Sequence, residues 1–185
     1  METKNLKTNK DWALYYRSKG FSVIPIGKSA QGKLDKKSPL LNSWEEFQKR
    51  KPTTEEINYW WQIWPEAKPG IVCGVVSKLA VLDIDNPSGF HALNINVPQT
   101  ACVKTKKGWH FYFRINESQK KIKIQNEKNH YGELQGEGSY VVAPPAMHHA
   151  ENGQIDGEYI WSIGLEDIEM EELDLSIFEN FFKKQ

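Results

Sequence analysis

Val81-Leu82-Asp83-Ile84-Asp85 is an apolar stretch that ends in two carboxylates one residue apart. Strand side chains alternate between faces, so Asp83 and Asp85 share one face while Leu82 and Ile84 turn to the core. Their Cβ atoms then stand roughly 6.5–7 Å apart, close enough to converge on one or two hard cations. Two like charges at the end of a buried strand repel, and each is pushed toward protonation unless a cation neutralises them. Alone, Asp-x-Asp also fits a strand whose acid merely caps the following turn, Asn86-Pro87-Ser88-Gly89.

The chain around this stretch has 185 residues, enough for one domain, with or without a small subdomain, and for a real core. No apolar run approaches the ~20 residues of a membrane span, and the lysine-rich N-terminus has no signal-peptide core. Cys73 and Cys102 are too few for a disulfide framework or a zinc site. A cytoplasmic protein with no membrane partner and no zinc is expected. The net charge is zero, yet residues 1–51 carry twelve Lys/Arg against five Asp/Glu, and 101–130 carry eight against two. From residue 151 onward there are ten acids and two lysines. A basic front and an acidic tail can hide an anion-binding face behind a neutral total, although lysine-rich loops are often only solvated.

Taken outward, the pattern predicts helix over 9–19, strand over 21–25, and a loop to Pro39 that presents Lys28, Lys33, Lys36 and Lys37. A short helix over 42–50 and a second opened by Thr53-Thr54-Glu55-Glu56 follow, with Ile57, Trp60, Trp61 and Trp64 as packing residues. Ile71 to Val75 reads as a buried strand and Leu79 to Asp85 as its hairpin neighbour. A short helix over 88–93 leads to a hairpin, 101–104 and 109–114, around Thr105-Lys106-Lys107-Gly108. The segment 115–129 reads as a connecting loop, 131–135 and 139–143 as strands, and Pro144-Pro145 as a stop. A last strand over 158–162 precedes a helix over 173–183. Hairpin strands and separate helices make the class α+β rather than a wound βαβ sheet.

Three of these strands offer polar groups from one face: Asp83 with Asp85, His110, and Glu133. The other face of the second hairpin strand is apolar, with Trp109, Phe111 and Phe113. Three carboxylates and one imidazole, with no thiolate, suit Mg²⁺ or Mn²⁺ rather than zinc. Two such ions about 3.5–4 Å apart would activate an attacking hydroxyl and stabilise a departing pyrophosphate. The Thr105–Gly108 loop supplies a hydroxyl, two cations and a free backbone, which suits a triphosphate.

The ordered set resembles the bifunctional primase–polymerase catalytic domain of the archaeo-eukaryotic primase superfamily. The motifs that carry the resemblance are Gly20 to Pro25; Lys37, Pro39 and Trp44; Asp83 and Asp85; Gly108 and His110; Glu133; and Gly136 to Pro145. They span roughly 12–161 in order. The resemblance implies an RRM-like antiparallel-sheet catalytic module over about 71–165, packed on an N-terminal α/β unit over about 1–70. An acidic C-terminal helix would fill 166–185. It implies template-directed synthesis of DNA or RNA primers, and their extension, from dNTPs or NTPs on single-stranded DNA. Asp83, Asp85 and Glu133 would hold the metals. His110 with Thr105, Lys106, Lys107 and Gly108 would hold the triphosphate, and Lys36, Lys37 and Arg114 are candidate contacts to template or phosphates. The third acid is Glu133 where the family usually has Asp, and Gln135 stands where Arg is frequent. A zinc-binding stem or helicase segment is not expected inside this chain, while a fused or associated helicase or other C-terminal domain fits as a partner.

Two other classes compete. A rolling-circle or relaxase-type nuclease would want an alternating His-x-His pair and a helical Tyr nucleophile, whereas His148-His149 are adjacent. A catalytically silent single-stranded nucleic-acid-binding module would expose aromatics on its central strands, where acids and His110 stand instead.

Overall fold

Thr8 and Asp11 satisfy each other's backbone amides in a capping box that starts α1 (Asn9–Ser18). Thr53 and Glu56 do the same for α2 (Thr54–Ile63). These helices bury Ala13, Tyr15 and Tyr16, and Ile57, Trp60 and Trp61, in one core cluster. The computed structural model describes residues 6–27, 38–149 and 154–182, and arranges the strands in two antiparallel sheets. The expected phosphate-contact residues Lys36 and Lys37, with Lys28 and Lys33, lie outside the described residues.

The first sheet holds β1 (Ser22–Gly27), β2 (Ser38–Pro39), β3 (Lys68–Val72) and β9 (Tyr140–Val142), in the order β2-β1-β3-β9. The second holds seven strands, in the order β10-β11-β5-β6-β4-β8-β7. These are β4 (Leu79–Ile84), β5 (Cys102–Lys104), β6 (Trp109–Arg114), β7 (Ile122–Gln125), β8 (His130–Gln135), β10 (Ala146–His149) and β11 (Ile155–Ile163). Helix α3 (Pro87–His91) follows β4, and α4 (Glu179–Phe182) closes the described chain. The α+β class with antiparallel pairing is therefore what the chain forms. Among the described residues, no helix is long and apolar enough to cross a membrane.

Alternation along β4 divides the core. Leu79 and Val81 join Val103 and Tyr112 in the cluster that also holds Val23, Ile71 and Val141 of the first sheet. Ala80, Leu82 and Ile84 face the other way, against Phe113, Leu134, Ile124, Phe90 of α3, and Phe178 and Phe181 near the C-terminus. Each fully buried side chain of this size contributes about 1.5–3 kcal/mol, so a register slip that turned β4 over would be strongly disfavoured. Asp83 consequently stands on the Leu79–Val81 side, at the polar margin of the core between the sheets.

Several elements differ from expectation. β3 and β4 are not a hairpin: β3 is flanked by β1 and β9, β4 by β6 and β8, and the isolated bridge from Leu79 goes to Gly74, past the end of β3. The segment expected as a loop over 115–129 contains the edge strand β7. Its Ile122 and Ile124 pack into the second cluster, an apolar alternation hidden among the lysines that suit an edge. The expected helix over 42–50 is a 3₁₀ turn at Glu45–Gln48. The helix expected from Leu173 begins later, as a 3₁₀ turn at Leu175–Phe178 and then α4. Leu173 donates its N–H to Arg114 O at 2.9 Å instead, and Asp174 caps the turn by accepting from Ser176 N–H. The Gly136–Gly138 turn lifts the chain from β8 into β9 of the other sheet, with Ser139 Oγ donating to Gly136 O at 2.6 Å.

Candidate active site

β4 is the middle strand of its neighbourhood, and its register pairs Asp83 with His110 of β6 on one side and Glu133 of β8 on the other. Directly opposed residues share a face, so the three groups form a row spanning about 10 Å. His110 Nε2 lies 3.3 Å from Asp83 Oδ1. The residue is 5 % exposed, and its Nδ1 is buried with no hydrogen-bond partner among the described residues. Glu133 Oε2 accepts from Gln135 Nε2 at 3.0 Å and meets Lys121 Nζ at 2.6 Å. Asp83, His110, Gln135 and Lys121, with Ser139, Tyr140 and Tyr159, line a cavity of about 360 Å³ whose walls come from both sheets, and Glu133 stands beside it, held by Gln135 and Lys121 of the lining. A hollow of about 510 Å³ on the opposite face, under α3, is lined by Ile84, Phe90, Trp109 and Phe111 and holds none of the acids.

The end of β4 is pinched between two glycines. A Cβ on Gly108 would sit 1.8 Å from Ile84 O, and one on Gly132 would sit 2.2 Å from Asp83 O. Both contacts are with backbone, which cannot swing away, so a side chain at either position would push a neighbouring strand off β4. The small residue two before His110 is therefore explained by how closely the turn approaches the acid-bearing strand.

Asp85 is the first residue past β4, and its N–H and that of Asn86 both donate to Tyr131 O at 3.1 Å. Two successive amides on one carbonyl are the mark of a bulge, which breaks simple alternation there. Asp85 Oδ2 lies 3.9 Å from His130 Nε2. The capping role goes to Asn86, whose Oδ1 accepts from Gly89 N–H at 2.9 Å. Among the described residues, no three His, Cys, Asp or Glu side chains stand in a metal-holding group. The donor set of Asp83, Asp85 and Glu133 is nevertheless all carboxylate oxygen, the chemistry that Mg²⁺ and Mn²⁺ take, and Glu133 already carries a cation in Lys121.

The Thr105–Gly108 loop is a closed turn rather than an open cradle. Thr105 N–H donates to Gly108 O at 2.9 Å, and Gly108 N–H donates to Thr105 Oγ1 at 3.0 Å. Lys106 pairs with Asp156 of β11, which also meets His148 Nδ1. The Lys106 ammonium, then His148, holds the Asp156 carboxyl down to about 2. Lys107 is exposed, and none of Thr105, Lys106, Lys107 or Gly108 lines the acid-bearing cavity. Arg114 is at the far end of β6, opposite Leu79, bound to Glu169. Lys121 and Tyr159, which the sequence reading passed over, do reach the cavity. The available signal for Lys121 was the Lys-Ile-Lys-Ile alternation of 121–124.

No curated protein matches the chain. The model of the family described as bifunctional DNA primase/polymerase, N-terminal (Prim-Pol), matches residues 13–173. That span runs from α1 through the acid-bearing strands to the segment paired with Arg114, and the chain belongs to this family.

Proposed function

We propose that this chain is a template-directed nucleotidyltransferase that extends and starts DNA or RNA strands on single-stranded DNA, using the cavity lined by Asp83 and His110 with Glu133 beside it. Family membership implies DNA primase/polymerase activity in general. The observation that carries the finer reading is the register: one strand places a cavity-lining acid directly between a cavity-lining imidazole and a second acid. The strand order β5-β6-β4-β8, with α3 following β4, supports an RRM-like catalytic module.

In this reading a primer 3′-hydroxyl attacks the α-phosphate, and the α–β bond breaks to release pyrophosphate. Asp83, Asp85 and Glu133 would hold Mg²⁺ or Mn²⁺, which when bound supply Lewis acidity to the hydroxyl and the leaving group. His110, with its ring buried beside Asp83, positions the triphosphate by hydrogen bonding. The walls given by Tyr140, Val141 and Val142 of β9 limit water around the reacting groups. A silent nucleic-acid-binding module is less well supported. Tyr59 on α2 is the one aromatic among the large hydrophobic side chains exposed in the described residues, and it is not on a central strand.

Primer extension on a single-stranded template, with Mn²⁺ or Mg²⁺ and with dNTPs or NTPs, tests the reading, alongside a primer-free reaction and the Asp83→Asn protein. Templated, metal-dependent product that disappears in the variant supports it. Equal activity in the variant would move the site elsewhere. Absence of both synthesis and metal-dependent triphosphate binding would leave a binding module.

A further inference from the structure

Lys121 stands immediately before β7, the edge strand of the seven-stranded sheet. Its ammonium lies 2.6 Å from Glu133 Oε2, the same oxygen that accepts from Gln135. The lysine is 43 % exposed and the carboxylate 21 %, so the carboxylate is the more enclosed end of the pair while the ammonium, which lines the cavity, also reaches water. A carboxylate oxygen that accepts an ammonium at this distance has its charge compensated. A divalent cation on Glu133 needs that compensation removed, because two cations about 4 Å apart repel. The lysine has the means to leave: a flexible four-carbon stem, three rotatable donors, and a half-exposed position that makes the pair individually weak.

We propose that Lys121 is the resident counter-ion of the site, displaced from Glu133 when a divalent cation binds and then free to meet the triphosphate. The proposal rests on the reading that Asp83, Asp85 and Glu133 hold the metal. It adds that the cation-free site is not simply a set of repelling acids but a paired one. Metal binding then costs the Lys121–Glu133 contact, and the freed ammonium, still tethered at the cavity mouth, is regained as attraction for a phosphate anion. Metal and nucleotide should therefore favour each other's binding through this residue.

The test is calorimetric titration of MnCl₂ into the wild-type protein and into Lys121→Met, Lys121→Arg and Asp83→Asn. Each titration is repeated with a non-hydrolysable deoxynucleoside triphosphate. Lys121→Met should bind Mn²⁺ alone about threefold to tenfold more tightly than wild type, the loss of an exposed competitor. In the presence of Mn²⁺ it should bind the triphosphate more weakly by a similar factor. Lys121→Arg, which keeps the charge, should stay within about twofold of wild type for Mn²⁺. Unchanged or weaker Mn²⁺ affinity in Lys121→Met overturns the counter-ion role, and unchanged triphosphate affinity overturns the transfer to phosphate. A wild-type protein that binds no Mn²⁺ in a manner abolished by Asp83→Asn overturns the metal reading itself, and with it this one.

Discussion

The two ends of the β4–β6–β8 ladder treat their charges in opposite ways. At one end Asp83 and His110 face a cavity, and Lys121 of the same lining is the cation that meets Glu133 beside it. At the other end Arg114 is bound by Glu169 at 2.6 Å, which raises its pKa. There the backbone of 171–173 runs alongside it, with Arg114 N–H donating to Glu171 O at 2.8 Å. Asn116 Nδ2 completes this closure by donating to Glu172 Oε1 at 2.7 Å. Glu169 and Glu172 of the acidic tail thus serve the structural end of the sheet, and among the described residues no acid of the tail lines the cavity at the other end. A zero net charge conceals this division, because compensation within the chain is local. A charged strand-end residue belongs to a site only where its partner can be exchanged for a ligand.

The comparison can be broken or sharpened at several points. Asp83→Ala should lower primer extension by about 10³-fold while leaving the circular dichroism spectrum intact; retention of activity would remove the working end from the chemistry. Gly108→Ala should destabilise the fold by about 2–3 kcal/mol in urea unfolding, because the new Cβ meets Ile84 O. A neutral outcome there would show that the turn can retreat without cost. His110→Ala should raise the triphosphate dissociation constant about tenfold, the loss of one charge-assisted contact, measured by fluorescence titration. The Asp156 carboxyl should titrate near about 2 by carbon NMR, and Lys106→Met should move the midpoint back toward the ordinary 3.8. Since the fold favours the ionised form, whatever stability this group contributes is complete above about pH 4 and is lost as the pH falls through about 2. Last, Arg114→Met should leave the salt dependence of template binding unchanged, whereas a phosphate contact would reduce the log–log slope by about 1.

The placement of Asp83, His110 and Glu133 side by side was legible because it depends on period and order. Asp83, His110 and Glu133 each occupy the polar phase of an apolar alternation, and antiparallel pairing then has few ways to place them. What escaped reading depends on partners remote in sequence. β9 leaves the sheet of β8 for that of β3, a choice made by a four-residue turn and by an unpaired edge on β3 rather than by anything in Tyr140–Val142. Lys121 was one of four lysines in 115–129, and only the pairing of β7 with β8 distinguishes it. Arg114, a candidate contact to template or phosphates, has the same parity as His110 yet lies four register steps away. Asp85 shows the limit of alternation, since a bulge at Asp85-Asn86, opposite Tyr131, ends the pattern there.

The glycine pinch at Gly108 and Gly132 bears on how such a site tolerates change over generations. Its spacing is inherited from main-chain hydrogen bonds, not from a jigsaw of side chains, so the apolar residues around it are free to drift in identity while the distances among the three groups hold. Tolerance would be concentrated in the lining and withheld at two positions that carry no functional group at all. A survey of viable random substitutions should find 108 and 132 as silent-looking sites that refuse every replacement, beside aromatic neighbours that accept many.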